Sequence, residues 1–169
     1  MPPEAASRLL TAIDDLDSTV RDVRAAIFEL HTARLPGRSV RQELIGLAGE
    51  SARALGFDPV VRFDGPIDTG VDDGLANELF AVVREGLTNV AKHAKASTAQ
   101  VWIEVRDGVL TATITDDGVG TSGGSGVGRG VENLRSRAAK FGGTTVVAPA
   151  ASGGTQLVWT ARLGGDAAP

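Results

Sequence analysis

The stretch "DDGVGTSGGSGVGRG", Asp116 to Gly130, decides how this chain folds. Taken alone, its glycines fit a flexible linker as well as a loop that presses backbone amides against a ligand. Its flanks separate the two. Upstream, "QVWIEVR" and "VLTATIT" alternate apolar with polar residues and are joined by Asp107-Gly108, the favoured pair for a two-residue hairpin turn. Downstream, "VENLRSRAAKFGG" carries a helical pattern. Linkers do not usually interrupt a core strand and a core helix. Glycines in that place let amides approach a ligand at a helix N-terminus, where free N–H groups and the helix dipole favour phosphate.

Working outward, "TTVVAPA" and "TQLVWTARL" predict two further strands around the turn "ASGG". On the other side lies "REGLTNVAKHAKAS", Arg84 to Ser97, in a helix whose N-cap is Asp72 or Asp73. At 100° per residue, Leu75, Leu79, Val82, Val83, Gly86 and Val90 fall within an arc of about 100°, the core side. Glu85, Asn89 and Lys92 fall within about 60° of one another beside that arc, with His93 on the border. Taken alone, that flank is equally compatible with an ordinary solvated surface.

Earlier still, "PVVRF" predicts a short strand. Ser39 with Gln42 resembles a capping box opening a helix whose stripe is Leu44, Leu47, Ala48 and Leu55 and whose end is Gly56. "RLPGRS" breaks the chain before it, since Pro36 and Gly37 cannot continue a helix. The first segment carries Leu9, Ile13, Leu16, Val20, Val23, Ile27 and Leu30 at alternating spacings of four and three. That seam predicts a bundle or coiled-coil helix roughly 45 Å long, which needs a partner helix; a long helix packed on its own domain is the alternative.

The chain has 169 residues, 42% hydrophobic and 22% charged, enough for about one domain with a helical appendage. A net charge of -4 and scattered basic residues argue against direct nucleic-acid binding or an anionic membrane as main partner. With no cysteine there is no disulfide framework and no thiolate metal site. No run of 18 apolar residues and no signal peptide is found, so the expectation is a cytoplasmic segment without membrane contact.

Neither common phosphate motif occurs, G-x-x-x-x-G-K-[ST] or a strand-to-helix G-x-G-x-x-G with its ribose acid. What occurs, in order, is a helix with Glu85 and Asn89, a hairpin, D-x-G-x-G at Asp116, Gly118 and Gly120, G-x-G-V at Gly128 to Val131, and G-G-T at Gly153 to Thr155. Four motifs in this order resemble the ATP-binding domain of two-component sensor histidine kinases, in the superfamily of DNA gyrase, Hsp90 and MutL. "REGLTNVAKHAKAS" and "GRGVENLRSRAAKFGG" are most similar to the subgroup whose response regulators carry helix-turn-helix output domains. Together with "IFELH", they resemble the actinobacterial oxygen and redox sensor kinases of dormancy.

The resemblance implies an α+β fold of the Bergerat type, a mixed and mostly antiparallel sheet covered by helices, preceded by one long bundle helix. It implies residues 1–33 as the second helix of a dimerisation hairpin, 34–39 as a hinge, 40–163 as the ATP-binding catalytic domain and 164–169 as a flexible tail. Asn89 is implied as the ligand of Mg2+ and Glu85 as the acid-base or water-orienting residue beside it. Lys92 and His93 would meet the phosphates. Asp116 would accept the adenine amine, with Thr155 supporting it through water. Gly118, Gly120, Gly128 and Gly130 would hinge a lid over the triphosphate. No segment resembles the phosphoacceptor box, and His31, at the end of the first helix, is not expected to replace it. The implied partners are a response regulator and a second copy of the kinase. The implied activity is phosphoryl transfer from Mg-ATP to a histidine outside this chain, so the fragment is not expected to phosphorylate itself. Two other functions share these boxes, a serine kinase of the anti-sigma-factor type and a non-catalytic nucleotide-binding module.

Overall fold

Ser39 opens the first helix, α1 (Val40–Leu55), as the capping box predicts: its hydroxyl accepts from the Gln42 N–H, and the Gln42 side chain accepts from the Ser39 N–H. Gly56 ends α1 at φ 83, a left-handed turn that favours glycine. The computed structural model describes residues 39–120, 129–151 and 153–164. The expected bundle helix with His31, the hinge up to residue 38, Gly128 and the tail after residue 164 lie outside the described residues.

The chain continues through β1 (Val60–Asp64), a single helical turn α2 (Ile67–Gly70) and the helix α3 (Asp73–Asn89). Asp72 caps α3, its carboxylate accepting the Leu75 N–H at 2.9 Å. Then come β2 (Ala99–Arg106), β3 (Val109–Asp116), α4 (Arg129–Lys140), β4 (Thr145–Pro149) and β5 (Thr155–Arg162). Asp107 and Gly108, at φ 52 and 73, form the two-residue turn between β2 and β3.

The strands form one mixed sheet in the order β1-β2-β3-β5-β4. Only β1 and β2 pair in parallel, because α3 crosses between them; the other pairs are antiparallel. Alternation decides the faces. Val101, Ile103, Val105, Leu110, Ala112, Ile114, Leu157, Trp159 and Ala161 are buried, while their neighbours along each strand are half-buried or exposed. The core they form also contains Leu44 of α1, Leu79, Val83 and Leu87 of α3, and Leu134 of α4. This is the two-layer α+β arrangement that the resemblance implies.

Gly86 sets how closely α3 lies on the sheet. A Cβ there would come within 3.2 Å of the Ile114 side chain and 3.4 Å of Leu157, so any larger residue would push the helix out. The polar residues on either side of Gly86 are thereby brought down to the ends of β3 and β5.

Candidate functional site

Along β3 the inward positions are Leu110, Ala112, Ile114 and Asp116. The last of these places a carboxylate where the pattern calls for an apolar side chain. Asp116 is 6% exposed and is the one buried charged side chain among the described residues. Its Oδ1 accepts two backbone N–H groups, from Gly118 at 2.9 Å and Thr155 at 3.3 Å. The carboxylate therefore ties the D-x-G-x-G loop to the start of β5 and leaves Oδ2 without a hydrogen bond to another described residue.

The G-G-T box closes on the same point. Gly154, at φ 78, lies so close that a Cβ would strike the Asp116 carbonyl, and would sit 2.7 Å from the Gly118 nitrogen. Gly118 in turn packs on the carbonyl of Ala94, and the Val119 N–H donates to that carbonyl at 2.8 Å. Gly120, at φ 73, borders the Gly154 carbonyl. The structure thus brings Asp116, Gly118, Gly120 and Thr155 together, as their order in the sequence suggests.

Glu85 and Asn89 are half-buried, one helical turn apart, and face the start of α4. A Cβ on Gly130 would lie 2.5 Å from Glu85 Oε1 and 3.9 Å from Asn89 Nδ2. Among the described residues neither side chain hydrogen-bonds or ion-pairs with another. Two half-buried polar groups without partners among the described residues, set against a helix N-terminus, have hydrogen-bonding capacity left for a ligand.

Beyond Asn89 the helix changes its winding. Val90–Ala94 forms a π turn that ends at Lys95 in the left-handed conformation, φ 50. The 100° spacing that placed Lys92 and His93 on the flank does not hold through this turn. Both are exposed, while Ala94 is buried at the contact with Gly118. Gly128 lies outside the described residues.

Asp117 escaped sequence reasoning. Its Oδ1 accepts the N–H groups of Ser97 and Thr98, each at 2.8 Å, and so fastens the segment after the π turn to the end of β3. These donors, Thr98 first and Ser97 next, hold its carboxyl below the usual carboxylate range. The adjacent aspartates in "DDG" were the available signal, since two carboxylates at a strand end need separate partners. Glu78 was missed as well; it lies two turns before Glu85 on α3 and pairs with Arg137 and Lys140 of α4.

The opposite face of the sheet has a depression of about 310 Å³ lined by Val60, Gln100, Trp102, Thr113 and Gln156. Thr98, Asp116 and Asp117 also border it, so at the end of β3 it reaches the carboxylate around which the D-x-G-x-G loop is built.

Residues 74–165 match the model of the histidine kinase-, DNA gyrase B-, and HSP90-like ATPase family. The chain is 33% identical over 145 residues to the sensor histidine kinase NarS of Mycobacterium tuberculosis, covering 82% of this chain and 33% of that protein. It is 28% identical over 138 residues to the sensor histidine kinase LiaS of Bacillus subtilis, covering 80% of this chain and 38% of that protein. The chain therefore spans about a third of the length of these relatives. Among solved structures, the blue-light activated histidine kinase of Erythrobacter litoralis EL346 superposes with a TM-score of 0.67 at 22% identity, covering 88% of this chain and 49% of that one. The ATP-binding domain of PrrB from Mycobacterium tuberculosis superposes with a TM-score of 0.58 at 22% identity, covering 76% of this chain and 96% of that one. At these identities the superpositions speak for the fold.

Proposed function

Because this chain belongs to the histidine kinase-, DNA gyrase B-, and HSP90-like ATPase family and is the ATP-binding catalytic domain of a sensor histidine kinase, we propose that its cleft holds Mg-ATP between α3 and the D-x-G-x-G loop for phosphoryl transfer to a histidine elsewhere in the parent kinase. The observation that supports this most is a pair of polar groups without partners among the described residues: Glu85 and Asn89 of α3, facing the start of α4, and Oδ2 of the buried Asp116 carboxylate at the end of β3.

In this reading Asp116 Oδ2 accepts the adenine amine, and Thr155 supports that contact through water. Asn89 offers an amide oxygen to Mg2+, the hard donor that this cation prefers. Among the described residues no group of three or more His, Cys, Asp or Glu side chains is arranged to hold a metal. When bound, Mg2+ supplies positive charge across the phosphate oxygens. Glu85, beside Asn89, orients a water or takes a proton. Lys92 and His93, exposed on the π turn, would meet the phosphates, and Gly118, Gly120, Gly128 and Gly130 would hinge a lid. Little covalent chemistry is asked of such a domain; its work is positioning and charge stabilisation.

For the parent kinase we propose dimerisation through a helix hairpin that includes residues 1–33, and transfer onward to a response regulator with a helix-turn-helix output domain. The cytoplasmic setting follows from that partnership; among the described residues no helix is long and apolar enough to cross a membrane. The anti-sigma-factor-type serine kinase and the non-catalytic module are less well supported, since the relatives are named sensor histidine kinases.

The test is titration of a fluorescent ATP analogue, with and without Mg2+, against the chain and its Asn89→Ala and Asp116→Ala variants. Saturable binding that both substitutions abolish is the expected result. Failure of the unmutated chain to bind, or undiminished binding by both variants, overturns the assignment.

A further inference from the structure

We propose that Glu78 is a positioning residue for the nucleotide site: it fixes how far α4 lies along α3, and so where the N-terminus of α4 meets Glu85 and Asn89. The inference rests on the reading of that cleft as an ATP site. Glu78 uses both carboxylate oxygens, Oε1 accepting from Lys140 Nζ at 3.1 Å and Oε2 from Arg137 Nη1 at closer range. The Glu78 side chain is only 15% exposed and that of Arg137 27%, so this pair is shielded more than Arg41–Asp68, Arg106–Asp64, Arg106–Glu104 and Arg135–Glu132.

The spacing links this pair to the site. Glu78 and Glu85 are seven residues apart on α3; Gly130 and Arg137 are seven residues apart on α4. The two helices run in opposite directions, with Glu78 beside Arg137 and Glu85 beside Gly130. Two turns on each helix, about 10.5 Å, therefore separate the ion pair from the cleft on both sides of the contact. An anchor at one end sets the position of the other, because a helix transmits an axial shift with little loss.

Other contacts hold α4 at its middle and just past its C-terminus, where the Arg162 N–H donates to the Phe141 carbonyl at 2.9 Å. Leu134, buried midway along α4, packs against the core, and its carbonyl accepts the Thr145 hydroxyl at 3.1 Å. These hold the middle of α4 to β4. Apolar contact is non-directional and resists sliding weakly, whereas a carboxylate gripping two cations has a defined geometry. Without Glu78, Arg137 and Lys140 would stand one turn apart as like charges with no counterion on α3, and the grip of α4 on α3 would loosen.

The consequence is selective. In this reading the start of α4 faces the phosphate end of the site, whereas the adenine end is built by Asp116, Gly118, Gly154 and Thr155, which are tied to one another. Loss of Glu78 should weaken ATP and leave adenosine unchanged.

The experiment measures binding of ATP with Mg2+ and of adenosine to the unmutated chain, to Glu78→Gln, to Arg137→Glu and to the charge-exchanged triple variant Glu78→Lys/Arg137→Glu/Lys140→Glu, each first shown to be folded at the titration temperature. Expected is a loss of ATP affinity of roughly tenfold in each single variant, equivalent to about 1.4 kcal/mol, with adenosine affinity held within about twofold and ATP affinity largely recovered in the triple variant. Unchanged ATP affinity in Glu78→Gln overturns the proposal. So does an equal loss for ATP and adenosine, which would give Glu78 a general structural role, and so does failure of the triple variant to recover. If the unmutated chain binds adenosine but not ATP, or neither, the reading of the site falls first and takes this inference with it.

Discussion

Replacing Asp116 by asparagine tests the proposed adenine contact without removing the scaffold that the residue supports. The amide keeps an Oδ1 that can accept from Gly118 at 2.9 Å and from Thr155 at 3.3 Å, so the loop and β5 stay joined. Exchanging a charged acceptor for a neutral one roughly halves the strength of such bonds, a cost of about 1 kcal/mol over the two. For a folding unit of this size that lowers Tm by about 4 °C. The effect on the ligand is larger. With Oδ1 committed to the backbone, the group facing the adenine amine becomes an NH2, and two donors then oppose each other in a site only 6% exposed. Losing a hydrogen bond to a charged group and leaving a donor unpaired costs about 2–4 kcal/mol, or roughly 30- to 700-fold in Kd. A purine with a 6-oxo group would instead accept from that NH2. Isothermal titration of ATP and ITP against both proteins, with thermal melts alongside, should show ATP affinity collapsing, the ITP-to-ATP ratio rising and Tm nearly held. A folded Asp116→Asn protein that binds ATP within about threefold of the parent, or whose preference between the two bases is unchanged, would refute the reasoning.

Other consequences can be checked by stability. The depressed carboxyl of Asp117 contributes stability that is fully present above the unfolded carboxylate value of about 3.9 and is lost as pH falls through the lower folded value. In urea melts between pH 6 and 3, the deficit of Asp117→Asn relative to the parent should be constant at the upper end and shrink toward the lower; a deficit that persists undiminished at pH 3 contradicts this. Gly118→Ala should cost about 3 kcal/mol, since its methyl would collide with the Ala94 carbonyl of the π turn. Gly153→Ala has open space around it and a φ of 89, so only the backbone penalty of about 1 kcal/mol applies. Equal melts for the two alanine variants would show that the loop yields at Gly118.

Much of the fold could be read locally. The alternation in "QVWIEVR" and "VLTATIT", the Asp107-Gly108 turn, the Ser39–Gln42 box and the Asp72 cap all depend on interactions within a few residues, and each appears in the structure. The carboxylate and glycine boxes were equally legible as words in order. Their geometry was less so. A uniform helix was the natural expectation through Arg84 to Ser97, yet the chain widens into a π turn at Val90 and reverses at Lys95. That distortion brings the Ala94 carbonyl to Gly118 and Val119, a contact between residues more than twenty positions apart that no local propensity encodes.

The sequence by itself determined the elements, their caps and the chemical identity of the groups at the cleft, because periodicity, turn preference and donor inventory are properties of neighbouring residues. Only the tertiary structure decided that β5 inserts between β3 and β4, which carries the Thr155 N–H to Asp116. It likewise decided that Asp117 serves the loop while Asp116 faces the core, and that Glu78 reaches across to Arg137 and Lys140. These outcomes depend on which distant surfaces meet when the helices cover the sheet. Burial and close packing select them, since a buried carboxylate or a tight glycine contact is tolerated only where its partner has arrived from elsewhere in the chain.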